Sequence, residues 1–268
     1  MKTKTLTDKT LTIAGIAAKA IHKAQTTRLK KKTQIIAIGG GALPPDLDNL
    51  LLIDYFLKQT HQRKPKVCFI GTAHGDADAG RLRYYAGMSQ FNCTPTHLPL
   101  FARTPRDLES LVMEQDAIFV GGGNTRSMLA VWRDWGLDVH LRAAWQRGVV
   151  LGGWSAGSIC WFEQGITDSI AGPLTALDCL GFLPGSNCPH YDSEKQRRPV
   201  YRRLIARGAV AEGYAADDGV ALHFIGERLH RVVTNHRGQR GWRLKRNDNR
   251  TVERALPTSY LGKPRTRR

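Results

Sequence analysis

An α/β fold, a three-layer α/β/α sandwich with a mostly parallel central sheet, is predicted by three observations. Short apolar runs recur along the first 155 residues, each of strand length. Three of them end in glycines, at Gly39–Gly41, Gly121–Gly123 and Gly152–Gly153. The intervals between the runs have the length and apolar spacing of amphipathic helices. Strands buried on both faces read as continuous apolar runs, and parallel strands need helical crossovers to connect them. In such sheets, sites form where the carboxyl ends of strands meet, so the three glycine-rich ends are expected to converge.

Thr33–Ile38 is the first strand. A helix over about 46–61 comes next, with Leu47, Leu50, Leu51, Asp54 and Leu57 mixing core and surface. Pro65–Ile70 is the second strand, followed by a helix at about 77–90 and a third strand at about Thr94–Leu98. Thr104–Asp107 opens a short helix, and Asp116–Val120 is the fourth strand. Helices at about 125–134 and 138–147 lead to a strand at 149–153. That strand runs into Gly153-Trp154-Ser155-Ala156-Gly157, a G-x-S-x-G pattern at a predicted strand-to-helix turn, with the helix expected over 155–163. Beyond it, Asp178–Leu183 is strand-like, a basic helix is expected over about 194–207, and Val210–Ala216, Val220–Ile225, Arg228–Thr234 and Gly241–Leu244 are expected to finish the sheet as strands and hairpins. Residues 1–32 read as a basic N-terminal extension, partly helical, 33–246 as the main domain, and 247–268 as an irregular basic tail.

The 268 residues carry a net charge of +17, much of it at the two ends. No zinc finger, aromatic-rich RNA motif or clear helix-turn-helix accompanies it, so nucleic acid remains a partner only through the basic ends. There is no apolar stretch long enough to span a membrane. The amphipathic start, interrupted by Lys19, His22 and Lys23, is not a convincing secretory signal. Five cysteines, an odd number without a C-x-x-C pair, point to a reduced, cytoplasmic protein rather than a disulfide or zinc scaffold. Gly39–Gly41 does not match the spaced dinucleotide fingerprint and no Walker lysine appears, so no nucleotide, metal or other cofactor is expected.

A nucleophilic Ser155 requires a base, a carboxylate to orient it and donors for an oxyanion. Of nine histidines, His190 is the favoured base, because it lies after a strand in the loop Cys188-Pro189-His190-Tyr191-Asp192. His74 and His223 compete with it, His74 because it too lies just after a strand end. Asp217 and Asp218 offer the carboxylate, although Asp-Gly is also ordinary turn chemistry. Asp192 and Glu194 read as caps of the next helix. The amides of Gly122, Gly123 and Ala156 are the candidate oxyanion donors.

Gly121–Thr125, Gly153–Gly157, Pro189–Tyr191 and Asp218-Gly219 together resemble, in order and approximate spacing, the peptidase E (aspartyl dipeptidase) family, over about residues 33–235. The resemblance implies a class I glutamine amidotransferase-like fold and a serine peptidase of small peptides, with Ser155 as nucleophile and His190 as base. The family's acid is a glutamate. Asp218 stands in its position, one methylene shorter, with Asp217 as the alternative. The Gly-Gly-Asn loop corresponds to the oxyanion and substrate loop, which brings in Asn124. Cleavage after an N-terminal Asp needs a cation, for which Arg197 and Arg198 are candidates. Two rivals accompany this reading. One is a cyanophycinase-like or other small-amide hydrolase. The other is a non-catalytic binding protein that contacts nucleic acid through its basic ends.

Overall fold

The computed structural model describes residues 32–43 and 47–262. The N-terminal extension and the last six residues, which carry the basic ends, lie outside them. The described chain forms fourteen strands and seven helices: β1 Gln34–Ile38, α1 Leu51–Lys58, β2 Lys66–Ile70, α2 Asp78–Met88, β3 Thr94–Leu98, α3 Leu108–Met113, β4 Ala117–Val120, α4 Thr125–Asp134, α5 Leu137–Gln146, β5 Val150–Trp154, α6 Ala156–Ile159, β6 Phe162–Thr167, β7 Thr175–Asp178, β8 Leu183–Cys188, α7 Arg197–Ala206, β9 Gly213–Ala216, β10 Val220–Ile225, β11 Arg228–Thr234, β12 Gly241–Asn247, β13 Arg250–Ala255 and β14 Thr258–Tyr260. A 3₁₀ turn covers Thr72–His74.

The main sheet has eight strands in the order β14-β11-β10-β1-β5-β4-β2-β3. Its five strands β1, β5, β4, β2 and β3 are parallel, and β10 joins β1 antiparallel. Alternate residues face opposite layers, as the two-residue strand period requires. Ile35, Ala37, Ile118, Val120 and Leu151 pack with Leu108, Met128, Trp132, Leu141 and Trp145 of α3, α4 and α5. Ile36, Ile38, Val67, Phe69 and Phe119 pack with Leu52, Phe56, Tyr84 and Met88 of α1 and α2. Both faces are thereby covered, and the carboxyl ends of β1, β5, β4 and β2 lie side by side along one edge.

Several expected elements differ. The first helix is shorter than 46–61. Instead of one strand over 178–183, Asp178 ends β7, Leu183 begins β8 and residues 179–182 connect the two. The helix after Ser155 stops at Ile159, because Phe162 begins β6. The apolar run Ile159–Phe162 fits the start of a buried strand as well as it fits a helix. The later strands do not all finish the main sheet. β6, β7, β8, β9, β12 and β13 make a second, six-stranded sheet in the order β13-β12-β9-β8-β6-β7. Helix α7 packs on it through Tyr201 and Ile205, against Ile166, Cys188, Ala215 and Leu244. Residues 247–268, expected as an irregular tail, contribute β13 and β14 instead, so the folded domain runs past 246. Among the described residues no helix is long and apolar enough to cross a membrane.

Candidate active site

Ser155 stands at the end of β5 with φ +56° and ψ −116°. A non-glycine residue there carries strain of about 1–3 kcal/mol, sustained only where the surroundings over-determine it. Two features hold the turn. The Ser155 amide donates to the Ile38 carbonyl at the end of β1, at 3.1 Å. Gly157 lies against β4 so closely that a Cβ there would meet the Val120 side chain at 2.8 Å. This is the reason the pattern needs a small residue two positions after the serine. A Cβ on Gly122 would come within 2.9 Å of the Ser155 Cβ, so the β4 loop borders the serine directly.

His190 comes just after β8, also at positive φ (+52°). The Tyr191 amide fixes its loop to the Ala216 carbonyl at 3.1 Å. His190 Nδ1 lies 2.7 Å from Asp218 Oδ1. Burial would raise the Asp218 carboxyl, but hydrogen bonds from His190 and Ser193 and the charges of His190 and Arg197 outweigh it and hold Asp218 below the usual carboxylate range. An ionised carboxylate only accepts, so Nδ1 carries the hydrogen of the neutral ring and Nε2 is left as the proton acceptor.

The pair rests on β1. A Cβ at Gly40 would collide with Asp218 Oδ1 and meet the His190 ring at 2.7 Å. Gly40 and Asp218 form a bridge, and the Gly219 amide donates to the Gly40 carbonyl at 2.9 Å. Ile38, which anchors Ser155, and Gly40, which seats the dyad, are two residues apart along the chain at the end of β1. β1 therefore brings the two halves of the site to the same edge. Among the described residues no hydrogen bond joins Ser155 Oγ to His190. Such contacts are commonly long in a site without substrate.

The candidate oxyanion donors share a property. Gly121, Asn124 and Ser155 each donate their amide to a strand or loop carbonyl, at 3.0, 2.9 and 3.1 Å. The amides of Gly122, Gly123 and Ala156, interleaved with them, donate to no protein carbonyl among the described residues. With α6 only four residues long, a helix dipole adds little here, and the individual amides are what the site offers.

Other expected residues sit elsewhere or do other work. Asp217 points away from His190: it accepts from Trp242 Nε1 at 2.9 Å and the Arg240 amide at 2.8 Å. Arg197 is buried, with its side chain 3% exposed. It donates to Glu194 Oε2 at 2.7 Å and the Ile166 carbonyl at 2.8 Å, so it braces the second sheet rather than facing a substrate. Arg198 pairs with Glu253 and lies over the Trp242 ring. Asn124 caps α4 through the Ser127 amide (2.9 Å) and reaches across to the Ser169 carbonyl (3.0 Å), which fixes the end of the Gly121–Gly123 loop. His223 is fully buried between Tyr55 (2.7 Å) and Gln34 (3.0 Å), and burial lowers it to about 4. His74 ends the 3₁₀ turn that follows β2, lowered by burial and by Arg83. Sequence reasoning brings Gly39–Gly41 to the site without giving Gly40 a part in it, and does not assign Asp192 to the site. The Gly39–Gly41 run is a visible signal for the first, whereas Asp192 reads as a helix cap.

A strained serine elbow, a histidine–carboxylate pair and unengaged amides thus meet at one sheet edge. Residues 21–232 match the family model described as peptidase family S51. The chain belongs to peptidase family S51. The uncharacterized peptidase YgaJ of Bacillus subtilis (strain 168) is 51% identical over 229 residues, which cover 85% of this chain and 99% of that protein. Peptidase E of Pasteurella multocida (strain Pm70) is 29% identical over 136 residues, 47% of this chain and 57% of that protein. In structure, a peptidase from an acI-B1 actinobacterium superposes with a TM-score of 0.62 at 16% identity, over 85% of this chain and 98% of that one, a likeness of fold. As an S51 member the chain is a peptidase with the α/β fold of the peptidase E group, and the binding-protein rival falls away. The family model stops at 232, before β12 to β14.

Proposed function

We propose that this S51 peptidase hydrolyses small peptides through a Ser155–His190–Asp218 triad. His190 Nε2 takes the Ser155 hydroxyl proton as Oγ attacks the scissile carbonyl, and later gives it to the leaving amine. Asp218 holds the ring in the required tautomer and stabilises its charged form. The amides of Gly122, Gly123 and Ala156 receive the oxyanion of the tetrahedral intermediate. The observation that carries this reading is the 2.7 Å contact between His190 Nδ1 and an Asp218 carboxylate held ionised, seated on the strand that also anchors Ser155.

A preference for N-terminal Asp is implied by the resemblance to peptidase E. Arg197 and Arg198 are both engaged in internal ion pairs, so a different cation of the chain has to recognise the substrate's aspartyl carboxylate in their place. Assays of the chain and of Ser155→Ala on Asp-X dipeptides, β-Asp-Arg, Asp-p-nitroanilide and blocked peptides test both levels. The triad predicts that Ser155→Ala loses at least about 10⁴-fold in kcat on every cleaved substrate. Preferential cleavage of β-Asp-Arg would favour the cyanophycinase-like specificity over the aspartyl dipeptidase one.

A further inference from the structure

Residues on either side of His190 and Asp218 are gripped by the C-terminal segment that lies beyond the family match. Tyr191 Oη donates to Glu253 Oε2 of β13 at 2.5 Å. Asp217 is held by Trp242 and the Arg240 amide. Asp192 makes the connection between the two halves of the dyad. Its Oδ1 accepts the Asp218 amide at 2.8 Å, and its Oδ2 accepts Gln239 Nε2 at 2.6 Å. Helix α7 begins five residues further on, at Arg197, so Asp192 does not cap it.

We propose that Asp192, held in place by Gln239, is a positioning residue for the triad, a carboxylate brace that ties the main chain of the acid Asp218 to the loop of the base His190. The proposal rests on the triad reading. Its physical basis is the way Asp218 is suspended. The Asp218 peptide is pinned on one side by Asp192 and, through the adjoining Gly219 amide, on the other side by the Gly40 carbonyl. Without the brace, one of those two backbone tethers is gone, and the Asp218 side chain is held less firmly, by Ser193 and His190 alone, against a ring that needs it within hydrogen-bond reach. A charged acceptor on a backbone amide is among the stronger hydrogen bonds available to hold a loop. Because Asp192 lies two residues from His190, the same bond sets the distance between the base and acid loops.

The test reads Ser155 reactivity directly, using a fluorophosphonate probe on the full chain and separating the maximal labelling rate from the half-saturating probe concentration. Asp192→Ala is expected to lower the maximal rate about tenfold, with the half-saturating concentration within about twofold of wild type. Asp192→Asn, which keeps an oxygen for the Asp218 amide, is expected to return to within about threefold. Gln239→Ala is expected between the two. Thermal unfolding of each variant checks that the fold persists. An Asp192→Ala protein that labels within twofold of wild type overturns the brace, and so does an Asp192→Asn protein as slow as Asp192→Ala. His190→Ala and Ser155→Ala, run in parallel, separate the two levels. If they abolish labelling while Asp192→Ala does not, only the brace falls. If His190→Ala labels as wild type, or if Ser155→Ala hydrolyses peptide at the wild-type rate, the triad falls and the brace with it; where the wild type cleaves peptide without labelling, the same comparison of variants is read in kcat.

Discussion

Burial raises the Asp217 carboxyl above its ordinary range even though Trp242 and the Arg240 amide donate to it, whereas the bonds and charges around its neighbour Asp218 overcome burial and hold it low. Only Asp218 reaches His190. Asp218→Asn is therefore expected to lower kcat about 10³- to 10⁴-fold by disturbing the tautomer and charge of the ring, with a small effect on KM. Asp217→Asn is expected to lower the denaturation midpoint and leave kcat within about threefold. Steady-state kinetics beside urea titrations distinguish the two. His223 supplies a second expectation. Tyr55 donates to its Nδ1 and its Nε2–H donates to Gln34, an arrangement that suits the neutral ring. Its folded value of about 4 lies below the ordinary histidine value of 6.5, so the unfolded chain takes up the proton first. The stability this contributes is present in full above about pH 6.5 and is lost as pH falls toward 4, by about 3 kcal/mol at most. Urea midpoints between pH 4.5 and 7 for the wild type and His223→Gln measure it. The variant is expected to be less stable at pH 7 and to show a shallower slope across that window.

Strand β1 is the element on which the site converges, holding Ser155 through Ile38 and the His190–Asp218 pair through Gly40. Gly40→Ala places a methyl where Asp218 Oδ1 and the His190 ring now lie. The prediction is a loss of at least about tenfold in kcat with the fold retained, because the ring and the carboxylate can move outward while the strand cannot. Kinetics and circular dichroism on the same preparation test this. Strands β1, β2, β4 and β5 are legible in sequence because each is an apolar run buried on both faces. The serine elbow is legible because a tight turn out of such a strand demands small residues. Strand β13 is not. Arg250-Thr251-Val252-Glu253-Arg254-Ala255 alternates exposed and half-buried positions at the edge of its sheet, with charges that leave no buried stripe to read. The choice between Asp217 and Asp218 is equally hidden. Both precede the same glycine, and it is the pairing of β12 beside β9, which brings the Arg240 amide and Trp242 to Asp217, that turns one of them away.

Across the whole molecule, the basic character is unevenly spread. Between residues 33 and 194 there are twelve Lys and Arg against sixteen Asp and Glu, whereas residues 195–254 carry fifteen against six. The excess of the folded domain therefore belongs to α7, the strands after it and their connections, while the parallel half that carries Ser155 is mildly acidic. In the proposed triad the parallel sheet supplies the nucleophile and the oxyanion amides, and the loops after β8 and β9 of the second sheet supply the base and the acid. Sequence patterning conveys the first half well because its strands are fully buried. It conveys the existence of the later strands but not that they leave the main sheet to form another, since short half-buried strands do not specify their partners. The proposed mechanism has these groups act together on one serine. The most direct measurement is peptide hydrolysis and fluorophosphonate labelling by wild type, Ser155→Ala and His190→Ala, with the modified residue located by mass spectrometry. The triad predicts a single adduct on Ser155, lost in both variants together with hydrolysis. Hydrolysis by Ser155→Ala at the wild-type rate would contradict it.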